Sequence, residues 1–164
     1  MQGNSATGCR VLCVASAGGH WVQLQRLRPA WDGCAVTYVT TRAGYEAQVA
    51  ADAAARGQPA PRIRVVTEAS RWQKLKLLRQ LAELALILLR TRPQVVVTTG
   101  AAPGYFALLL GRRLGARTIW VDSIANAAEL SASGARARRH ADLWLTQWEH
   151  LATPDGPAYA GAVL

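Results

Sequence analysis

The sequence predicts an α/β domain in which a mostly parallel, doubly wound sheet of about six strands alternates with helices. Three observations carry this. Short apolar runs recur along the whole chain, each is followed by a segment of helical apolar spacing, and glycine or proline marks the junctions. Strands separated by helices are joined by right-handed crossovers, which makes the sheet parallel. A chain of 164 residues is long enough for one well-buried domain and short for two, so residues 1–164 read as a single Rossmann-like unit. Residues 1–8 are expected to be flexible, and residues 154–164 to form a tail open to partner contact.

The elements follow in order. "CRVLCVAS" is an apolar strand bounded by Gly18 and Gly19, and "GHWVQLQRLRPAW" then sets Trp21, Leu24 and Leu27 at helical spacing. "CAVTYVTT" is a second strand, and "AGYEAQVAADAAARG" an alanine-rich helix closed by Gly57. "RIRVVT" is a third strand, leading into "SRWQKLKLLRQLAELALILLRTRP", where Ser70 is expected to cap and Pro93 to stop the helix. "QVVVTTG", "PGYFALLLGRRLG" and "ARTIWVDS" give strand, helix and strand. A short basic helix from Ala135 to His140 precedes "ADLWLTQ", the sixth strand.

Composition narrows the function. Hydrophobic residues make up 51% and charged residues 18% of the chain, as in a folded globular protein. Lys and Arg number 19 against 10 Asp and Glu, a net charge of +9 that attracts an anionic ligand or surface. The basic runs lack the interleaved stacking motifs of nucleic-acid modules, so nucleic acid is not the expected partner. Cys9, Cys13 and Cys34 are odd in number and lack the spacing of a metal knuckle, so they read as buried free thiols in a reducing compartment. The apolar run before Ala15-Ser16-Ala17 is too short for a secretory signal, and "TTGAAPG" interrupts the longest uncharged span, Pro93 to Gly111, so no spanning helix is expected.

In a doubly wound sheet ligands bind beyond the carboxyl ends of the strands. The residues expected there are Gly18, Gly19 and His20 after the first strand, Thr99, Gly100 and Gly104 after the fourth, and Asp122 to Gly134 after the fifth. Gly18 and Gly19 let the backbone approach a ligand, and the helix start behind them directs N–H groups at an anion such as a diphosphate; equally, a glycine pair can serve a turn alone. His20 could act as a general base, or only hydrogen-bond a neighbour at a helix start. Asp122 could bind a sugar hydroxyl or orient His20, or serve turn chemistry with Ser123. Neither a dinucleotide fingerprint nor a P-loop lysine is present, which disfavours the usual NAD and ATP sites.

The segment from Trp72 to Leu89 has two readings. Arg71, Trp72, Lys74, Lys76 and Arg79 followed by "LALILL" fit a helix lying on an anionic membrane surface. Leu75, Leu78, Ala82, Ala85 and Leu89 also make a stripe that a core-packed helix would bury.

Taken together, "SAGGHWVQLQRL", "VVVTTGAAPG", "TIWVDS", "SASG", "ADLWLTQWEHL" and "YAG" resemble, in order, the family of the bacterial exopolysaccharide protein PssD and its eukaryotic relative, asparagine-linked glycosylation protein fourteen. The resemblance runs from about Arg10 to Leu164. It implies the acceptor-side half of a GT-B glycosyltransferase, similar to the amino-terminal domain of MurG and peripheral on the cytoplasmic face of the membrane. A separate donor-binding subunit of the PssE type would hold the UDP-sugar, and this chain, with no cofactor of its own, the polyprenyl-diphosphate-linked acceptor. Carried over by position, Gly18, Gly19 and His20 match the glycine-rich acceptor loop, with His20 as base. Thr99, Gly100 and Gly104 match the second loop, and Ser131, Ser133 and Gly134 the stretch after strand five. Asp122 stands where relatives usually have glutamate, and Asn126 near a common arginine. The rival expectations are a non-catalytic membrane recruiter and a free-standing nucleotide-binding Rossmann enzyme.

Overall fold

A computed structural model describes residues 8–163. The flexibility expected of residues 1–8 therefore falls almost wholly outside the described residues. Seven strands form one sheet: β1 (Arg10–Val14), β2 (Ala35–Thr40), β3 (Arg62–Val65), β4 (Val95–Thr98), β5 (Arg117–Val121), β6 (Leu143–Thr146) and β7 (Ala158–Tyr159). The helices are α1 (Gly19–Arg26), α2 (Glu46–Ala55), α3 (Lys74–Thr91), α4 (Ala101–Arg113) and α5 (Ala132–Ala137), with 3-10 turns at Arg28–Trp31 and Glu149–Leu151. The strand order is β3-β2-β1-β4-β5-β6-β7 and every pairing is parallel.

That order reverses direction between β1 and β4, and there the loops leaving the two strands lie side by side at the carboxyl edge. β1 is central, which is why Val11 through Val14 are all buried and the run reads as continuously apolar rather than alternating. The seventh strand was not foreseen. It is two residues long, and so short a strand carries no alternation to read.

One sheet face carries Leu12, Val14, Val39 and Val96 under Leu84 and Leu88 of α3 and Leu108 of α4. The other carries Val11, Cys13 and Tyr38 under Trp21, Leu24, Trp31 and Val49. On this second face α1, the first 3-10 turn and α2 leave an apolar cleft of about 380 Å³, walled by Leu27, Val95, Ile119, Val121, Leu143 and Leu145. Of the three thiols expected to be buried only Cys13 is; Cys9 and Cys34 flank the cleft and are half-exposed. Burial pushes the Cys13 thiol well above its ordinary value, which keeps it a neutral packing group.

α3 overturns two expectations. Ser70 does not cap it: the helix begins at Lys74 behind Gln73, which makes no side-chain cap. Ser70 instead closes a turn, with the Gln73 N–H donating to its carbonyl at 3.0 Å. The leucine stripe expected in the core faces outward, with Leu75 84%, Leu78 63% and Leu89 57% exposed. Gln80, Leu84 and Leu88 are buried instead. At 3.6 residues per turn these sets lie on opposite sides of the helix. The segment holds leucines on both, so spacing alone cannot say which side meets the sheet.

Candidate active-site crevice

The chain leaves β1 through Ala15, Ser16 and Ala17, turns at Gly18 and enters α1 at Gly19. Gly18 has φ of 86°, a left-handed value that favours glycine, and caps α1 without any side-chain hydrogen bond. Gly18 and Gly19 are exposed and a Cβ at either would meet nothing within 4 Å, so the loop is open to the outside. The first turn of α1 carries no acidic residue to occupy its N–H groups, which suits an anion.

α4 repeats the device beside it. Gly100 (φ 125°) caps α4, again with no side-chain bond, and Ala101 follows at φ 63°. Two helix starts of this kind at one switch point put two sets of N–H groups on the same crevice.

His20 ties the two loops together. Its Nδ1 lies 2.9 Å from the Thr99 carbonyl oxygen, and the Thr99 hydroxyl donates to the His20 carbonyl at 2.6 Å. A carbonyl only accepts, so Nδ1 carries the proton and, in the neutral ring, Nε2 keeps its lone pair. The imidazole is half-buried and packs on Gly100, where a Cβ would stand 2.9 Å from Cε1. His20 is thus oriented by Thr99, and among the described residues its Nε2 has no hydrogen-bond partner.

The other expected residues divide into support and site. Thr99 is fully buried and spends both hydroxyl and carbonyl on His20, so it positions the histidine and does not present its hydroxyl to a ligand. Thr98, also buried, accepts the Gly100 N–H at 3.0 Å, and a Cβ on Gly104 would overlap the Thr98 hydroxyl. Gly104 is therefore a packing glycine. Ser133 is half-buried after β5.

Asp122 does not orient His20. It is 2% exposed, and its carboxylate accepts from the Ser131 hydroxyl at 2.6 Å, the Ser131 N–H at 2.9 Å and the Trp120 indole at 3.2 Å. Ser131 in turn accepts the Gly134 N–H at 2.8 Å as the cap of α5, and a Cβ on Gly134 would lie 2.5 Å from the Asp122 carboxylate. Asp122, Ser131 and Gly134 form a buckle that fixes the loop after β5. The turn-chemistry reading fits this geometry; a carboxylate open to a sugar hydroxyl does not.

Sequence reasoning missed the residues that join this buckle to the His20 loop. Gln23, three residues after His20 and buried, donates to the Ser123 hydroxyl at 3.0 Å and accepts from the Ile124 N–H at 3.0 Å. Gln147 after β6 donates to Gln23 Oε1 at 2.6 Å and to the Asp122 carbonyl at 2.9 Å, and its own Oε1 accepts the Val163 N–H at 2.9 Å. The available signal was a glutamine between Trp21 and Leu24 on the buried side of a short helix.

The residues expected at a membrane lie in the loop that leaves the carboxyl end of β3 and on the first turns of α3. Arg71, Lys74, Lys76 and Arg79 are exposed, Trp72 is 79% exposed, and Arg71 sits 4.7 Å over the Trp72 ring. No helix among the described residues is long and apolar enough to cross a membrane.

The fold is that of a Rossmann-like domain, matching the amino-terminal half of the GT-B architecture. MurG of Acinetobacter baumannii is similar over 95% of this chain and 46% of its own, with a TM-score of 0.72 at 15% identity. A UDP-N-acetylglucosamine 2-epimerase from Rickettsia bellii matches over 87% and 40% (TM-score 0.60, 12% identity), and a glycosyltransferase from Rickettsia africae over 80% and 34% (0.54, 12%). The chain thus spans less than half the length of the solved structures it matches. No protein-family model and no curated protein sequence matches it.

Proposed function

We propose that this chain is the acceptor-side half of a two-part, UDP-sugar-dependent glycosyltransferase of the PssD type, adding a sugar to a polyprenyl-diphosphate-linked acceptor in oligosaccharide or exopolysaccharide synthesis. The observation that carries this is the site itself: the glycine-capped starts of α1 and α4 stand side by side, with His20 Nδ1 committed to the Thr99 carbonyl between them, on a fold similar to that of MurG. The apolar cleft over β4 to β6 gives a donor-binding subunit of the PssE type a surface to cover. The tail after β7 borders that face, where Ala160 and Val163 line a smaller cleft with Leu27 and Leu145.

The crevice supplies the chemistry. The N–H groups at Gly18 and Gly19 bind the acceptor diphosphate, and His20 Nε2 takes the proton from the acceptor hydroxyl. The freed oxygen bonds to the anomeric carbon of the donor sugar as the bond to UDP breaks, which inverts that carbon in a single displacement. The outward face of α3, with its flanking Lys and Arg, rests on an anionic membrane surface where the lipid acceptor resides.

The test is a tagged pull-down from native membranes followed by assay of the recovered pair. The expected result is one stoichiometric companion of about 100 to 200 residues, the size of one more such domain, and sugar transfer from a UDP-sugar to a polyprenyl-diphosphate lipid only when both chains are present. A chain that comes down alone and binds a UDP-sugar unaided contradicts the proposal.

A further inference from the structure

A second cleft, of about 420 Å³, opens at the opposite edge of the sheet, where β1, β2 and β3 begin and α3 ends. Arg10, Arg62 and Arg90 reach it from three different elements, and no acidic residue lines it. Among the described residues none of the three takes part in an ion pair. All three are exposed, and an anion seated in the cleft would meet their positive charge and no competing carboxylate.

Two structural explanations account for part of the cluster. The carboxyl end of α3 attracts cations, and Arg10 meets that need by donating Nε to the Arg92 carbonyl at 2.9 Å. This leaves the outer nitrogens of Arg10 available. Arg62 lies on β3, an edge strand where charge discourages unwanted pairing. Arg90 stands in the last turn of α3 and serves the same helix end, yet among the described residues the side chains of Arg62 and Arg90 make no hydrogen bond to protein, so their guanidinium donors stay open to the cleft.

We propose that this cleft binds a phosphate-bearing anion, and specifically the phosphodiester of an acidic phospholipid headgroup. Planar guanidinium groups suit phosphate oxygens, which they can hold in pairs. The lipid source follows from the neighbourhood: Leu89 (57% exposed) and Leu86 (47% exposed) stand on the outward side of α3 next to Arg90, so apolar chain and charged head would both find partners. The proposal concerns lipid binding by this chain and does not depend on the transfer reaction.

The full chain is titrated with water-soluble short-chain phosphatidylglycerol and, separately, with inorganic phosphate. The doubles Arg62→Gln/Arg90→Gln and Arg136→Gln/Arg138→Gln are compared; both remove two exposed charges, and melting curves verify that both fold. The expected result is saturable phosphatidylglycerol binding that the first double weakens by about tenfold or more and the second by less than about twofold. Equal weakening by the two doubles, or no saturable binding of either probe, overturns the site. Inorganic phosphate binding as tightly as the lipid, with the same dependence on Arg62 and Arg90, keeps the anion site and overturns the lipid source.

Discussion

His20 and Thr99 hold each other from both sides: the imidazole Nδ1 donates to the Thr99 carbonyl at 2.9 Å while the Thr99 hydroxyl donates to the His20 carbonyl at 2.6 Å. The pair is 79 residues apart in sequence and closes the gap between the first turns of α1 and α4. One bond fixes the tautomer of the ring and the other fixes the backbone that carries it. Replacing Thr99 by Val removes only the second. The expected outcome is a fall in kcat of about tenfold with little change in KM, restored by Thr99→Ser. Steady-state kinetics of the assembled pair checks this; a Ser variant as poor as Val counts against a positioning hydroxyl.

Gly100 offers a sharper steric test. Alanine there combines φ of 125° with a Cβ 2.9 Å from the His20 ring, so the ring has to move. Strain of this kind costs about 1 to 3 kcal/mol. Gly100→Ala is expected to lower the melting temperature moderately and to cut transfer by more than about tenfold, whereas Gly19→Ala, with open space around it, should leave the fold unchanged.

Gln23 predicts a stability effect without any catalytic role. Gln23→Leu fills a similar volume but strands the Ile124 N–H and takes one partner each from the buried Ser123 hydroxyl and the Gln147 amide. The expected loss is about 2 to 4 kcal/mol, read from denaturant unfolding. Loss of less than about 0.5 kcal/mol contradicts the network as a structural tie.

α3 separates burial from surface function within one helix. Leu84→Ala empties a fully buried position and should cost about 2 to 5 kcal/mol. Leu75→Glu with Leu78→Glu, at positions 84% and 63% exposed, should change stability by under about 1 kcal/mol while weakening binding to anionic vesicles by about tenfold or more. Unchanged vesicle binding in that double removes α3 as the membrane face.

Acid should weaken the fold through His140 and Asp142. Burial, then Arg113, Arg112 and Arg139, hold the His140 pKa below its ordinary 6.5. The unfolded chain therefore binds this proton more readily, and stability falls as pH drops below about 6.5. At lower pH a second loss begins, because the Thr118 N–H, and then the Thr118 hydroxyl, Arg112 and Arg117, outweigh burial and lower the Asp142 pKa from 3.8. Its contribution is present above the unfolded value and is lost as pH falls through the folded one. His140→Gln should flatten the first decline in melting temperature between pH 7 and 5 and leave the second.

Much of this architecture is legible in the sequence, since buried parallel strands announce themselves as apolar runs and the two glycine junctions mark the switch point. The position of Gly18, Gly19 and His20 at the carboxyl edge is legible for the same reason. Thr99, Asp122, Ser131 and Gly134 lie at that edge too, but their hydrogen bonds hold the loops, which depends on pairings that form across the crevice. Gln23 and Gln147 stayed hidden because a buried amide bridging residues 124 positions apart leaves no local pattern. The outward face of α3 was ambiguous because leucines occupy both of its sides.

Transfer by the purified pair with wild-type His20 and with His20→Ala tests the central claim most directly, using a labelled UDP-sugar and a polyprenyl-diphosphate acceptor. The account predicts that His20→Ala loses about 100-fold or more in kcat while binding its companion as tightly as before. Undiminished turnover by His20→Ala in an intact pair would contradict it.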